Sequence, residues 1–253
     1  MIGTIGWFRV LFCWTLTLSI AHSLTPSSRA QPPQRFSQAE LFFELNDTDG
    51  DLGIHAAIDG GGWTDLEIDD PGDQDLLEIS SRGQLRNQTL TQLSFESAEP
   101  PFDELDPAEF FRRFPEGQYT IEGRPADGTR IQSVATLSHV LAAPPENILI
   151  SGVPAAENCD AKPLPRAGTP VVIRWDPVST SHPEIGKTGP ITVSMYQLFV
   201  EGPTIKFSVD LPPTVTEFEV PTGLTLLDKQ FKFEIIVRTA TGNNTAVESC
   251  FRL

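Results

Sequence analysis

The sequence predicts an all-β protein built as two tandem β-sandwiches. Three observations carry this. Apolar runs are short and are separated by turn residues, with 22 prolines and 19 glycines spread over 253 residues. Where the runs are clearest, as in Lys206 to Leu211 and Glu217 to Val220, apolar and polar residues alternate with the period of a half-buried strand. A single segment, Asp106 to Phe114, carries helical spacing instead. A chain of this length holds two modest domains, each with its own core. The expected division is 1–30 signal peptide and leader, 31–143 first sandwich, and 144–253 second sandwich.

Arg9 is the first charged side chain and precedes an apolar run from Val10 to Ala21, too short for a comfortable membrane span. Ala21-His22-Ser23 places small residues where a signal peptidase reads them, so cleavage after Ser23 fits, and Ser28-Arg29-Ala30 offers a second site. An uncleaved anchor is the other reading. No later segment could span a membrane. Export to the periplasm, the cell surface or the medium is the expectation. Past the signal, Cys159 and Cys250 remain. An even pair in an exported chain reads as one disulfide, although two buried thiols would also fit.

Residues 32–38 form a polar leader. Strands are then expected at Leu41 to Leu45, Gly53 to Ile58, Trp63 to Ile68 and Leu76 to Ile79, with the turn Asp70-Pro71-Gly72 before the last. Leu90 to Glu96 also reads as a strand, but its apolar residues Leu90, Leu93 and Phe95 leave the register open. Asp106 can cap a helix, Pro107 suits its first turn, and Phe110, Phe111 and Phe114 form its apolar stripe. Gln118 to Gly123 and Ile131 to Val140 pair across Ala126-Asp127-Gly128. This last piece, from Pro115-Glu116-Gly117, resembles the final hairpin of immunoglobulin-like modules. The first sandwich is therefore expected to be immunoglobulin-like, with one short inserted helix. Ala142 to Pro145 is a short, stiff linker.

In the second half, strands are expected at Glu146 to Pro154, Val171 to Pro177, Ile191 to Val200, Lys206 to Leu211 and Glu217 to Val220. The last is expected through Phe233, Ile235 and Val237. Trp175, Tyr196, Leu227 and Phe233 stand, in order and spacing, where fibronectin type III modules keep their core markers, and the segment from Pro144 to Leu253 resembles that family. Two departures are visible. Phe233 stands where the family usually has tyrosine, so the corner lacks that hydroxyl, and the loop Ala155 to Gly168 is long. The chain as a whole is similar to a group of uncharacterised exported bacterial proteins. In these an Asn-Asp-x-Asp-Gly-Asp-like segment, a Phe-Glu-Ser-Ala-Glu-Pro segment (Phe95 to Pro100) and a Phe-Pro-Glu-Gly segment (Phe114 to Gly117) precede such a module. The resemblance implies a compartment and an architecture, and it carries no activity.

A net charge of −16 sets the chain against nucleic acid and anionic lipid headgroups. Asp47, Asp49 and Asp51 are the sharpest polar feature. Alternate carboxylates around Gly50 can wrap Ca²⁺, but Leu52 and Ile58 break the EF-hand pattern, and an acidic turn explains the segment as well. Asp59 and Asp65 could complete a site if the fold brought them near. Asp69, Asp70, Asp73 and Asp75 read as a solvated turn. Glu96, Glu99, Asp103 and Glu104 could supply a carboxylate pair for glycoside hydrolysis only at a spacing the sequence leaves open. His55, His139 and His182 lie in no zinc-binding pattern, and no nucleophile elbow or phosphate loop is present. Trp63 beside Gly60-Gly61-Gly62 is either a sugar-stacking platform or a core residue. Asn46, Asn87 and Asn243 open Asn-x-Thr sequons, relevant only in a host that glycosylates. The expectation is a non-catalytic binding protein for a protein or glycan, with no cofactor unless the acidic turn holds calcium.

Overall fold

The computed structural model describes residues 33–253. The expected signal peptide and leader, residues 1–30, lie outside the described residues.

The first half contains β1 (Gln38–Asn46), β2 (Asp51–Trp63), β3 (Asp65–Asp69), β4 (Asp75–Ser80), α1 (Gly83–Gln88), β5 (Leu90–Glu96), α2 (Pro107–Arg113), β6 (Gly117–Arg124) and β7 (Ile131–Leu137). β1 and β2 form an antiparallel hairpin, with β5 on the far side of β2. Alternate residues Leu41, Phe43 and Leu45 of β1 meet Ala56, Ile54 and Leu52 of β2 inside the core. The facing sheet has the order β4-β3-β6-β7 and supplies Leu66, Ile68, Tyr119 and Ile121. The two strands expected at 53–58 and 63–68 meet at Thr64. β2 runs unbroken to Trp63, and the three glycines make an irregularity between Asp59 and Trp63 rather than a turn. That irregularity brings Leu90 opposite Trp63 while Leu93 faces Ile58, which is why the apolar spacing of β5 breaks the period of two.

α2 forms as expected. Asp106 Oδ1 accepts the Ala108 N–H at 2.8 Å, and Phe110 packs edge-to-face on Phe43 at 5.6 Å. The expectation of one helix is corrected: α1 is a second helix in this half. It buries no side chain, so it left no apolar period to read.

The second half contains β8 (Leu149–Ile150), β9 (Val153–Pro154), β10 (Val172–Arg174), β11 (Val193–Glu201), β12 (Lys206–Leu211), β13 (Glu217–Glu219), α3 (Thr222–Thr225), β14 (Gln230–Thr239) and β15 (Asn244–Arg252). One sheet has the order β13-β10-β8-β9, and the other runs β12-β11-β14-β15. This is the strand order of a fibronectin type III sandwich. Trp175 is buried and meets Tyr196 edge-to-face at 5.4 Å, while the Tyr196 hydroxyl accepts the Val178 N–H at 2.9 Å. Phe233 is fully buried beside Phe251. Leu227, expected as a core marker, is instead 57% exposed. The helical turn α3 rotates Leu224 inward in its place and leaves Leu226 and Leu227 facing water.

The two sandwiches share a sheet. β1 pairs in parallel with β15 at Glu44, Leu45 and Asn46, giving one seven-stranded sheet of order β12-β11-β14-β15-β1-β2-β5. Asn243, fully buried, fastens the seam. Its Oδ1 accepts the Phe43 N–H at 2.9 Å, and its Nδ2 donates to the carbonyls of Ser138 and Val140 at 2.7 and 3.1 Å. Such a residue presents no sequon to solvent. The Thr245 hydroxyl donates to Ala142 O at 2.9 Å, within the expected linker. Beyond the reach of β1, the long loop takes over the edge of β15. Ala167 N–H donates to Arg252 O, Arg252 N–H donates to Pro165 O, and Cys159 is bonded to Cys250. An otherwise open strand edge is thereby covered.

Candidate functional site

The outward face of the seven-stranded sheet collects carboxylates because β1, β2, β14 and β15 all place their polar alternates there. Glu44 stands opposite Gly53 on β2 and Asn244 on β15, and His55 stands opposite Glu96 on β5. Glu99, from the segment after β5, folds back over Gly53. A side chain at Gly53 would put its Cβ 2.0 Å from Glu99 Oε1, so only glycine leaves room for this carboxylate. Glu99 Oε1 lies 2.9 Å from His55 Nε2. Burial alone would lower the His55 pKa, but the bond to Glu99 and the charges of Glu44 and Glu96 outweigh it and raise it. Asp51 is next along the same face of β2. Burial, then Glu99 and Asp49, push its carboxyl up to about 6, and its Oδ1 is buried without a hydrogen-bond partner.

The three aspartates of the acidic turn are spread over separate tasks. Asp47 Oδ1 takes the Nε2–H of His182 at 2.9 Å, since His182 Nδ1 already accepts the N–H groups of Glu184 and Ile185. Asp49 Oδ2 accepts from Asn46 Nδ2 at 3.3 Å, and Asn46 Oδ1 accepts the Thr48 and Asp49 N–H groups in an Asx turn. Asp51 lies on the sheet face that Glu99 covers, and its Oδ1 has no hydrogen-bond partner. Asp65 is bound to Ser80, Thr64 and Arg86, which hold its carboxyl down at about 2. Among the described residues, ligand atoms converge within 4.8 Å in two groups, His55–Glu96–Glu99 and Glu67–Asp69–Asp75. The second lies on the paired strands β3 and β4, beside the turn where Asp70 Oδ1 accepts the Gly72 and Gln74 N–H groups. His139 is a structural residue, with Nε2 2.8 Å from Phe114 O.

The opposite face of β2 and β5 is apolar and borders a cavity at the edge of the sandwich. β4 and β5 are free edges of their sheets. Leu76, Leu77 and Ile79 form one wall of a cavity of about 280 Å³, Ile54, Leu93 and Phe95 the other, and Phe114 lies at its end. Asp75, Glu78 and Glu96 are exposed on the same two strands. Trp63 is fully buried in the core and presents no platform to a sugar.

No family model matches the chain, and no curated relative does. Among solved structures it is similar to a two-domain fibronectin type III segment of chicken tenascin, at 11% identity and a TM-score of 0.27, over 87% of this chain and 100% of that one. It is similar also to a tetra-tandem repeat from the extending region of a large adhesion protein, at 8% identity and a TM-score of 0.27, over 85% and 49% of the two chains. A third is a 1.5-MDa bacterial ice-binding adhesin, at 11% identity and a TM-score of 0.24, over 85% and 63%. At such scores the likeness says nothing about function, and the fold assignment rests on strand order and packing.

The sequence did not point to the convergence of His55 with Glu99. The two are 44 residues apart, and the only local signal was Gly53 between Asp51 and His55 on one strand face.

Proposed function

We propose that this protein is an exported, non-catalytic binding module that holds an extended polypeptide segment along the open side of its first sandwich. The observation that carries the reading is the apolar cleft at the free edges of β4 and β5. An extended segment pairs its backbone with such an edge and drops alternate side chains into the pocket. The exposed carboxylates of Asp75 and Glu78 and the net charge of −16 select a segment that adds lysine or arginine to those apolar residues. Burial of Trp63 favours protein over glycan.

The Cys159–Cys250 bond supports an oxidising compartment, as the periplasm, cell surface and medium provide. No helix among the described residues is long and apolar enough to cross a membrane.

Peptides of roughly ten residues displayed on phage and selected against the immobilised protein test this. Enriched sequences should alternate apolar residues and carry basic ones. Their affinity, read by fluorescence anisotropy, should fall at least about tenfold in Leu77→Asp and stay unchanged in Leu226→Asp. Peptides that bind the Leu77→Asp protein, folded by circular dichroism, as well as the parent would contradict the reading.

A further inference from the structure

We infer that His55, Glu96 and Glu99, with Asp51 beside them, form a binding site for one divalent transition cation of the Zn²⁺ class. Three independent features point to it.

The first is the donor set. One imidazole and two carboxylates have ligand atoms that all lie within 4.8 Å of one another. His55 Nε2 and Glu99 Oε1 stand 2.9 Å apart. Two donors each about 2.0–2.1 Å from a tetrahedral ion are separated by about 3.3–3.4 Å, so the pair needs to open by only about half an ångström to seat one. The nitrogen ligand selects a borderline metal over Ca²⁺ and Mg²⁺, which prefer all-oxygen shells.

The second is the cradle. Gly53 lacks the Cβ that would strike Glu99 Oε1 at 2.0 Å. The carboxylate therefore lies flat on the sheet, between Asp51 and His55.

The third is the unmatched charge. Asp51 Oδ1 is buried without a donor. The cations of the same sheet face are engaged elsewhere, Lys232 with Glu248 and Arg238 with Glu40. An ion here would neutralise the cluster and tie the end of edge strand β5 to β2 through Glu96 and His55. The acidic group Glu67–Asp69–Asp75 has no nitrogen donor and none of these companions.

The test is calorimetric titration of the full chain, without a histidine tag, with Zn²⁺, Mn²⁺ and Ca²⁺ at pH 7.5, alongside thermal melts in EDTA and in each metal. The expected result is one Zn²⁺ per chain and a melting temperature several degrees higher than in EDTA. Affinity should fall at least about tenfold in His55→Ala and in Glu96→Gln, and stay unchanged in Asp69→Asn. Glu96 is exposed, so its amide variant keeps the test open if the histidine variant fails to fold. Absence of Zn²⁺ binding at millimolar metal, binding that survives both substitutions, or a site that takes Ca²⁺ and refuses Zn²⁺ would each overturn the assignment.

Discussion

Glu234 should make stability depend on pH. It lies in the middle of the shared sheet, opposite Glu248 on β15 and Phe199 on β11. Burial pushes its carboxyl up from the ordinary 4.5 to about 7, and Glu44 and Glu248 add to the effect. Lys232 pulls the other way, but its ammonium is engaged by Glu248. The folded state therefore holds this proton at pH values where the unfolded state has released it. Stability falls as pH rises from about 4.5 to about 7, and the loss is complete above that range. At ~1.4 kcal/mol per tenfold change in acidity, the difference is roughly 3 kcal/mol. Glu234 is only partly buried, and solvent screening reduces this to about 1–2 kcal/mol. Glu234→Gln keeps the shape and removes the charge. Urea unfolding should show the variant more stable by about 1–2 kcal/mol at pH 8, with little gain at pH 4. An equal effect at both pH values, or destabilisation at pH 8, would refute the assignment of a strained charge to this position.

Reduction of Cys159–Cys250, or serine at both positions, frees a 91-residue separation and should cost ~4–5 kcal/mol in the chain-entropy account, read as a lower denaturation midpoint. Asn243→Ala strips partners from the Phe43 N–H and from two carbonyls, and should cost roughly 3–5 kcal/mol in the same assay. Phe110→Ala removes the side chain that seats α2 against Phe43 and should cost about 3–5 kcal/mol, again read by urea unfolding. Leu227→Ser, at an exposed corner, should leave the midpoint within about 0.5 kcal/mol of the parent.

Features written in local order were legible in the sequence. A short apolar run marked Leu41 to Leu45, alternation marked Lys206 to Leu211, and the Asp106-Pro107 start marked α2. Asp127-Gly128 marked the hairpin of β6 and β7, where Gly128 takes a φ of +78°. The cysteine pair was legible from its parity. Features that depend on segments distant in sequence were not. The register that joins Leu45 to Thr245 leaves no trace in either strand's own pattern, because the pairing joins segments from opposite ends of the described residues. Counting back six residues from Phe233 chose Leu227, since spacing alone cannot show that Thr222 to Thr225 coils and turns Leu224 inward. Asp47 read either as a cation ligand or as part of an acidic turn, and nothing local pointed to its partner His182, 135 residues away. Glu99 and His55 were each noticed alone, and only the return of the chain over Gly53 makes them neighbours.

The measurement that tests the binding role most directly is an NMR titration of the isotope-labelled protein with a peptide selected as above. The account predicts that the largest amide shifts fall on Leu76 to Ser80 and Leu90 to Glu96, the two strands flanking the cleft, with new protection of edge amides from hydrogen exchange. Shifts confined to the Thr222 to Asp228 corner, with β4 and β5 unchanged, would contradict it.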